Sequence, residues 1–259
     1  MAGSASGAKD LAIVVVQGSF HTPQAYENLT EGLKQRGYAT FQPGLPSCSN
    51  PDDDDFPSKT LRDDSAAVKS VIERLVNDES KNVFVVMHSY GGLVGSNAIP
   101  KELSFEYRKS AGLSGGVFHL LYIAAFVLGK GQSVLGTFGE SPNNDVKADG
   151  RFFLKDGASL LYNDMPEVEA ATWASRLIPQ SHAVQKTEME LEAYKHIPST
   201  YMICENDKAA PPQYQEMFAG TTGAKVVKLA SGHMPMLSQP DVLVQQVVSE
   251  VKEAVAATA

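Results

Sequence analysis

Six short apolar segments recur along this chain, with helix-like stretches between most of them. They comprise residues 11–17, 38–42, 82–87, 117–127, 200–204 and 225–229. Residues 11–17 and 82–87 are almost wholly apolar, which is typical of strands that are buried on both faces of a sheet. Because strands that alternate with helices indicate a parallel sheet with helices on both faces, we predict an α/β fold with a mostly parallel central sheet.

Apolar residues at helical spacing predict where the main helices lie. A cap followed by proline at Thr22-Pro23 begins one pattern, which ends near Gly37. Further helices are expected over about residues 60–76, from Leu93 onward, and over 241–256.

The alternation breaks between residues 130 and 197, where we find no clear strand. This segment carries aromatic residues spread through turns rich in Gly, Asn and Asp. Such an insertion after a sheet strand suggests a lid over the carboxyl ends of the strands, where open α/β sheets bind ligands; an ornament at one sheet edge is the alternative. We therefore divide the chain into a flexible N-terminus (1–10), a core (11–129 and 198–259) and a lid insertion (130–197).

Composition excludes several classes of function. Of the 259 residues, 43% are hydrophobic and 20% are charged, as in ordinary globular proteins. The net charge is −8 and the basic residues form no stripe, so we expect no nucleic-acid partner. The longest apolar runs, such as residues 120–128, fall well short of the roughly 20 residues of a membrane span, so we expect no membrane association. Two cysteines and no apolar signal segment predict a cytoplasmic protein.

A serine directly follows the third predicted strand. The letters MHSYG at 87–91 join the apolar run 82–87 to the helical stretch that begins at Leu93. A serine on a sharp turn between a buried strand and a helix is lifted into the open, as in a nucleophile elbow with the pattern G-x-S-x-G. Gly91 fits that pattern and Met87 departs from it. We therefore take Ser89 as the candidate nucleophile.

A serine hydroxyl is nearly inert at neutral pH, so it needs a histidine base and an acid that orients the histidine. Of the six histidines, His233 is expected on the loop after the last predicted strand. The acid should follow the preceding strand, where Asp207 is the first candidate. Glu205 is the fallback, because alternate strand residues face the same way. The order Ser, Asp, His is the order of α/β-hydrolases.

An acyl-transfer site also needs backbone donors for the oxyanion. The residue after the nucleophile, Tyr90, should supply one, and the turn after the first strand should supply the other, from Ser19 first or Phe20 next. His88, beside the nucleophile, is expected to be turned into the sheet as a packing residue, with a substrate contact as the alternative. The candidate substrate contacts are Gly18, Phe20, His21, His88, Phe126, Trp173 and Met234.

No H-E-x-x-H, C-x-x-C or Walker pattern occurs, so we predict neither a metal nor a cofactor.

Four segments resemble the plant methylesterase and hydroxynitrile lyase group of α/β-hydrolases and its microbial relatives. The resemblance covers about residues 11–125 and 198–257. It implies the α/β-hydrolase fold and a triad of Ser89, Asp207 and His233. The matching pieces are QGSFH at 17–21, HSYGG at 88–92, Asp207-Lys208 with Pro211 and Gln215, and HMPMLSQP at 233–240.

Two positions bear on the reaction type within this group. The lyases resemble one another in having a lysine directly after the catalytic histidine and a threonine in the oxyanion turn, whereas this chain has Met234 and Gly18 and so resembles the esterases. The chain departs from the group at Gln17 (usually histidine), Thr22 (glycine), Met87 (glycine) and Gly232 (aspartate).

We therefore expect a serine hydrolase, a carboxylesterase or lactonase, that acts on a small, largely apolar ester or lactone through an acyl-enzyme. A lyase or other carbon–carbon bond-cleaving enzyme on the same fold is one alternative. A small-molecule receptor without catalytic activity is the other.

Overall fold

The computed structural model describes residues 10–258, and six of the strands within them form one parallel sheet. Its spatial order is β2-β1-β3-β4-β8-β9. The strands in chain order are β1 (Leu11–Val16), β2 (Ala39–Phe41), β3 (Asn82–His88), β4 (Gly116–Ile123), β5 (Asn144–Val146), β6 (Arg151–Leu154), β7 (Gln180–Ser181), β8 (Ser199–Cys204) and β9 (Lys225–Leu229). The predicted flexible N-terminus lies, apart from Asp10, outside the described residues.

Helices cover both faces of this sheet. In chain order they are α1 (Glu27–Gln35), α2 (Leu61–Glu73), α3 (Gly91–Ala98), α4 (Phe105–Ser110), α5 (Val134–Phe138), α6 (Gly157–Leu161), α7 (Glu167–Ala174), α8 (Ala183–Lys186), α9 (Pro212–Thr222), α10 (Pro235–Ser238) and α11 (Pro240–Thr258). Alternate residues of β1 face opposite layers, since Val14 packs in a core with α2 and α3 while Ile13 packs in a core with α1 and α11. The predicted α/β fold with helices on both faces is confirmed.

The structure differs from the prediction in two places. Strand β4 was expected to continue to residue 127 but ends at Ile123, because Ala124 has a left-handed backbone (φ +45°) that cannot continue a strand. Residues 130–197, called the insertion below, were expected to lack strands, yet β5, β6 and β7 form an antiparallel sheet there. These strands have two to four residues, too few for an alternating pattern to be visible.

Parts of the insertion pack on loops at the carboxyl end of the parallel sheet. The ring of Phe152 meets the ring of Phe20 edge-on, with centroids 5.0 Å apart. The backbone N–H of Ile178 donates to the carbonyl of Phe20 at 3.0 Å. Phe20 belongs to the loop that follows β1, so these contacts join the insertion to one of the loops expected to form the site.

No helix in residues 10–258 combines the length and the apolar character needed to cross a bilayer.

Helix α3 begins in direct contact with the sheet. A Cβ on Gly91 would collide with the carbonyl oxygen of Val16 and lie 2.7 Å from that of Gln17. One turn later, a Cβ on Gly95 would lie 2.8 Å from Cγ of Met87. The missing side chain at Gly95 therefore makes room for Met87, which occupies the position where an elbow usually has glycine.

A buried carboxylate joins α2, the start of α3 and the insertion. Asp64 on α2 accepts hydrogen bonds from the N–H and O–H of Ser47 at 2.9 and 2.6 Å and from the hydroxyl of Tyr90 at 2.7 Å. The side-chain amide of Gln180 in β7 donates to Ser47 Oγ at 2.9 Å. Burial raises the pKa of Asp64 to about 6 despite these donors.

Replacing Asp64 with asparagine should remove a pH dependence of stability. Because folding raises the pKa of this carboxyl from its ordinary value of about 4 to about 6, its contribution to stability is fully present below about pH 4 and lost as the pH rises through 6. At about 1.4 kcal/mol per pH unit the loss is at most about 3 kcal/mol. Urea unfolding from pH 4 to 7 should show the wild type losing this stability relative to Asp64→Asn, and parallel curves would contradict the prediction.

Replacing Gly91 with alanine should destabilise the protein by about 2–3 kcal/mol, because the new methyl group would force α3 away from two backbone carbonyls of β1 and its loop. Gly220→Ala is the matched control, since a Cβ at this position meets nothing within 4 Å. Because Gly220 lies within α9, alanine should stabilise the protein by up to about 1 kcal/mol through its higher helix propensity. Urea unfolding measures both, and equal effects of the two substitutions would refute the packing argument.

Candidate active site

Ser89 lies on the turn between β3 and α3, at the carboxyl edge of the parallel sheet. Its backbone is left-handed (φ +53°), a conformation that costs a residue other than glycine about 1 kcal/mol or more. The turn is held by hydrogen bonds from the Ser89 N–H to the carbonyl of Ile123 (3.1 Å) and from the Phe126 N–H to the carbonyl of Ser89 (3.0 Å). These hydrogen bonds maintain the left-handed conformation of Ser89. The turn directs the serine hydroxyl away from β3.

The loops after β3, β8 and β9 bring three polar side chains together. His233 Nε2 lies 3.1 Å from Ser89 Oγ, and His233 Nδ1 lies 2.7 Å from Asp207 Oδ2. An ionised carboxylate only accepts hydrogen bonds, so Nδ1 carries the proton and Nε2 faces the hydroxyl as an acceptor. All three residues are buried. The arrangement can remove a proton from the serine hydroxyl and stabilise the resulting imidazolium.

The Asp207 carboxylate is held from several sides. Oδ1 accepts from the backbone N–H groups of Ala209 and Ala210 at 2.8 and 2.9 Å, and Oδ2 accepts from the amide of Gln215 at 3.1 Å as well as from His233. Gln215 is fully buried on α9, and this supporting role was not predicted from the sequence; the only signal was its inclusion in the family resemblance.

Glu205, the fallback acid, lies elsewhere. Its side chain is 43% exposed and 3.8 Å from Lys228 Nζ, so it faces solvent and not His233.

The predicted oxyanion donors belong to residues beside Ser89. Gly18 is so close that a Cβ on it would lie 2.9 Å from Ser89 Cβ, and Ser19 follows it directly. Tyr90 follows Ser89 in the chain, and its hydroxyl is anchored on Asp64. The backbone N–H of Phe20 makes a hydrogen bond to the Cys48 thiol, which opposes the raised pKa that burial gives this thiol. The backbone N–H of Phe20 thus has a protein partner, and the oxyanion role of Ser19 stays a prediction.

His88, which directly precedes Ser89, is buried and hydrogen-bonded on both sides of its ring. Its Nε2 lies 2.8 Å from the carbonyl of His233 and its Nδ1 lies 2.7 Å from the hydroxyl of Tyr26, which accepts the N–H of Gly18 at 2.7 Å. Since a carbonyl only accepts, Nε2 donates to it and Nδ1 accepts from Tyr26. Burial holds the pKa of His88 well below its usual range. Both ring nitrogens have protein partners, so His88 connects the loop of His233 to the loop after β1, and a substrate contact by His88 stays a prediction.

His21 and Met234, two further predicted substrate contacts, are both buried. His21 Nδ1 lies 2.6 Å from the carbonyl of Ser19, and its Nε2 lies 2.8 Å from the hydroxyl of Tyr162 in the insertion. Burial lowers the pKa of His21 to about 4, so the ring is neutral and both nitrogens have protein partners. Met234 is fully buried in the core with α1 and α11. A substrate role for either side chain stays a prediction.

Three further predicted contacts, Phe20, Phe126 and Trp173, are aromatic residues. Phe20 has a left-handed backbone (φ +65°) and packs on Phe152. Phe126 is half-buried, with its ring 5.3 Å from that of Phe218 on α9. Trp173 is half-buried in the insertion, with the guanidinium of Arg176 4.6 Å from its ring centre. A substrate role for these three residues stays a prediction.

Residues 10–258 contain no group of three or more His, Cys, Asp or Glu side chains placed to hold a metal ion.

Comparison with known proteins agrees with the fold. Alpha/beta hydrolase nvfD of Aspergillus novofumigatus is 31% identical over 253 residues, covering 94% of this chain and 98% of that protein. Polyneuridine aldehyde esterase of Rauvolfia serpentina is 27% identical over 198 residues, covering 70% and 73%. The solved structure of a methylesterase, MES16 from Arabidopsis, superposes with a TM-score of 0.70 at 19% identity, covering 93% of this chain and 99% of that one.

These matches confirm the resemblance to the plant methylesterase group. The family model described as "Alpha/beta hydrolase family" matches residues 13–246, nearly the whole length of the chain. A continuous match of this extent, together with the parallel sheet described above, establishes that the chain belongs to the alpha/beta hydrolase family.

Proposed function

We propose that this protein is a serine hydrolase that cleaves a small, largely apolar carboxylic ester or lactone. The observation that carries the proposal is the continuous path from Ser89 Oγ through His233 to Asp207, with steps of 3.1 and 2.7 Å. A hydrogen-bonded serine, histidine and carboxylate is the arrangement that activates a serine for attack on a carbonyl. Relatives whose names include "esterase" support the same reaction class.

In the proposed acylation step, Ser89 Oγ attacks the carbonyl carbon while His233 Nε2 takes the hydroxyl proton. Asp207 stabilises the imidazolium that forms. The backbone N–H groups of Ser19 and Tyr90 donate to the oxyanion of the tetrahedral intermediate. His233 then returns the proton to the leaving alkoxide as the carbon–oxygen bond breaks, which leaves an acyl group on Ser89.

In deacylation, His233 takes a proton from a water molecule that attacks the acyl-enzyme. The second tetrahedral intermediate collapses, Ser89 regains its proton from His233, and a carboxylic acid is released. With a lactone the alkoxide stays attached to the acyl group, so the product is a single hydroxy acid.

Aromatic residues around the serine support an apolar substrate. Phe126 hydrogen-bonds to Ser89 through its backbone N–H and packs on Phe218, whose ring lies 6.0 Å from that of Phe138 in the insertion. Ser89 itself is only 7% exposed, so a substrate enters when neighbouring groups move. We propose that the insertion is the lid that moves. The cytoplasmic location stays a prediction.

Replacing Ser89 with alanine should abolish covalent labelling by a fluorophosphonate probe and lower kcat for p-nitrophenyl acetate by about 10³-fold or more, because the nucleophile is lost. Intact-mass spectrometry and initial rates measure the two effects. Ser96→Ala is the control, since this buried serine on α3 hydrogen-bonds to Tyr122 at 2.8 Å and has no part in the proposed mechanism.

Fluorophosphonate labelling that persists in Ser89→Ala would contradict the proposed function. Cyanohydrin or retro-aldol cleavage by an unlabelled wild type would identify a lyase, and tight ligand binding without turnover would identify a receptor. A panel of short aryl esters, methyl esters and lactones then separates esterase from lactonase.

Replacing Asp207 with asparagine should lower kcat by about 10³–10⁴-fold, because His233 loses the partner that fixes its tautomer and stabilises its charged form. Glu205→Gln should keep wild-type kcat, since this carboxylate faces solvent near Lys228. Steady-state kinetics on p-nitrophenyl acetate compares the two variants, and a larger loss in the Glu205 variant would reverse the assignment of the acid.

A further inference from the structure

Three consecutive residues of the insertion each contact a different loop of the candidate site. Tyr162, Asn163 and Asp164 directly follow α6 and are called the clamp below. Their partners lie on the loops after β1, β8 and β9, which carry the proposed oxyanion donor, the acid and the base. Neither the family resemblance, whose matched segments lie outside the insertion, nor the proposed mechanism uses these residues.

Tyr162 acts on the oxyanion turn through a histidine. Its hydroxyl lies 2.8 Å from His21 Nε2, while His21 Nδ1 lies 2.6 Å from the carbonyl of Ser19. Because that carbonyl only accepts, Nδ1 is the protonated nitrogen, and Nε2 therefore accepts the Tyr162 hydroxyl hydrogen. The tyrosine thus fixes the orientation of the imidazole. The imidazole in turn fixes the position of the backbone carbonyl of Ser19.

Asn163 holds the acid loop. Its side-chain amide donates to the carbonyl of Asn206 at 2.9 Å, and Asn206 directly precedes Asp207. The backbone N–H of Asn206 in turn donates to the carbonyl of Ser231 at 2.9 Å. The acid loop is therefore tied both to the clamp and to the loop that carries the base.

Asp164 holds the loop of the base at two points. Its Oδ2 accepts the backbone N–H of Gly232 at 2.6 Å and the hydroxyl of Ser238 on α10 at 2.8 Å. These partners lie on both sides of His233. Asp164 therefore accepts two hydrogen bonds from the segment that carries the base, whereas Tyr162 and Asn163 each make one bond to their loops.

Gly232 leaves open the space that this contact occupies. A Cβ at position 232 would lie 2.5 Å from Asp164 Oδ1 and 2.9 Å from Asn163 Oδ1, closer than any real side chain tolerates. The clamp therefore occupies the space that a side chain at 232 would need, and the carboxylate at this place comes from the insertion.

We infer that Tyr162, Asn163 and Asp164 are positioning residues that hold the oxyanion turn, the acid and the base in register. The inference rests on the proposed function, because it assigns those roles to the three loops. Loops are the least constrained part of a fold, and a displacement of about 1 Å between reacting groups can cost about a hundredfold in rate. Seating the insertion assembles the site, and lifting it releases all three loops.

The central test exchanges the carboxylate between the insertion and the loop. Asp164→Gly should lower kcat on p-nitrophenyl acetate by about 10- to 100-fold with KM changed less than about threefold, and slow fluorophosphonate labelling of Ser89 in parallel. Gly232→Asp alone should also be impaired, because it collides with Asp164. The double variant should recover most of kcat, because one carboxylate again occupies this space.

Two further variants leave Asp164 in place in case Asp164→Gly fails to fold. Tyr162→Phe and Asn163→Ala each remove one clamp hydrogen bond and should lower kcat by about three- to tenfold. Asp149→Asn is the matched control, since this insertion carboxylate accepts the N–H of Arg151 at 3.0 Å within the insertion itself. It should keep wild-type kinetics.

The outcomes separate this inference from the proposed function. If the wild type is neither labelled at Ser89 nor active on esters, the proposed function fails. If the wild type is labelled and active while folded clamp variants match it in kcat and labelling rate, the inference alone is overturned. A folded double variant no better than the two single variants would also overturn it, because the position of the carboxylate would then not matter.

Discussion

The close packing of α3 on the parallel sheet is the constraint on which the site depends. Gly91 allows the helix to begin directly above the carbonyls of Val16 and Gln17, and Gly95 leaves space for Met87 below it. Only Ser89 and Tyr90 connect β3 to this helix, and Ser89 has the left-handed conformation of a sharp turn. The surrounding packing offsets the conformational strain of Ser89 and keeps its hydroxyl in a fixed direction.

Two neutral histidines, His88 and His21, hold the loops of the candidate site through hydrogen bonds. His88 and His21 are both buried, and burial lowers the pKa of each, so neither ring carries a charge that would compete with His233. Each uses one nitrogen as a donor to a backbone carbonyl and the other as an acceptor from a tyrosine hydroxyl. A buried polar network in which every member has a partner is rigid, which suits a role in orienting other groups.

The insertion contributes polar contacts as well as apolar cover. The side chain of Gln180 reaches the Asp64 cluster, and residues 162–164 reach the loops after β1, β8 and β9. These bonds join segments far apart in the chain, so they form only when the insertion and the core have both folded. The same contacts couple the position of the insertion to the position of the candidate catalytic groups.

The sequence by itself determined the main strands of the sheet and pointed to three side chains, Ser89, Asp207 and His233, as candidates for a catalytic triad. Strands such as β1 and β3 are buried on both faces, which leaves continuous apolar runs. Ser89, Asp207 and His233 follow the third, fifth and sixth predicted strands of the sheet. Strands β5 to β7 left no readable pattern because they have only two to four residues. The hydrogen-bond partners of His21 and His88 and the burial of Met234 were not readable from the sequence, because a residue's type does not tell which of its neighbours will occupy its polar atoms or cover its surface.

Only the tertiary structure decided how residues distant in sequence share space. Asp164 and Gly232 are 68 positions apart, and the carboxylate of one fills the volume left empty by the other. Asp64, Ser47 and Tyr90 come together in the same way. Local patterns reflect which faces of a strand or helix are buried, whereas pairings of this kind depend on the folded distance between segments, and that distance is set by the packing of the whole chain.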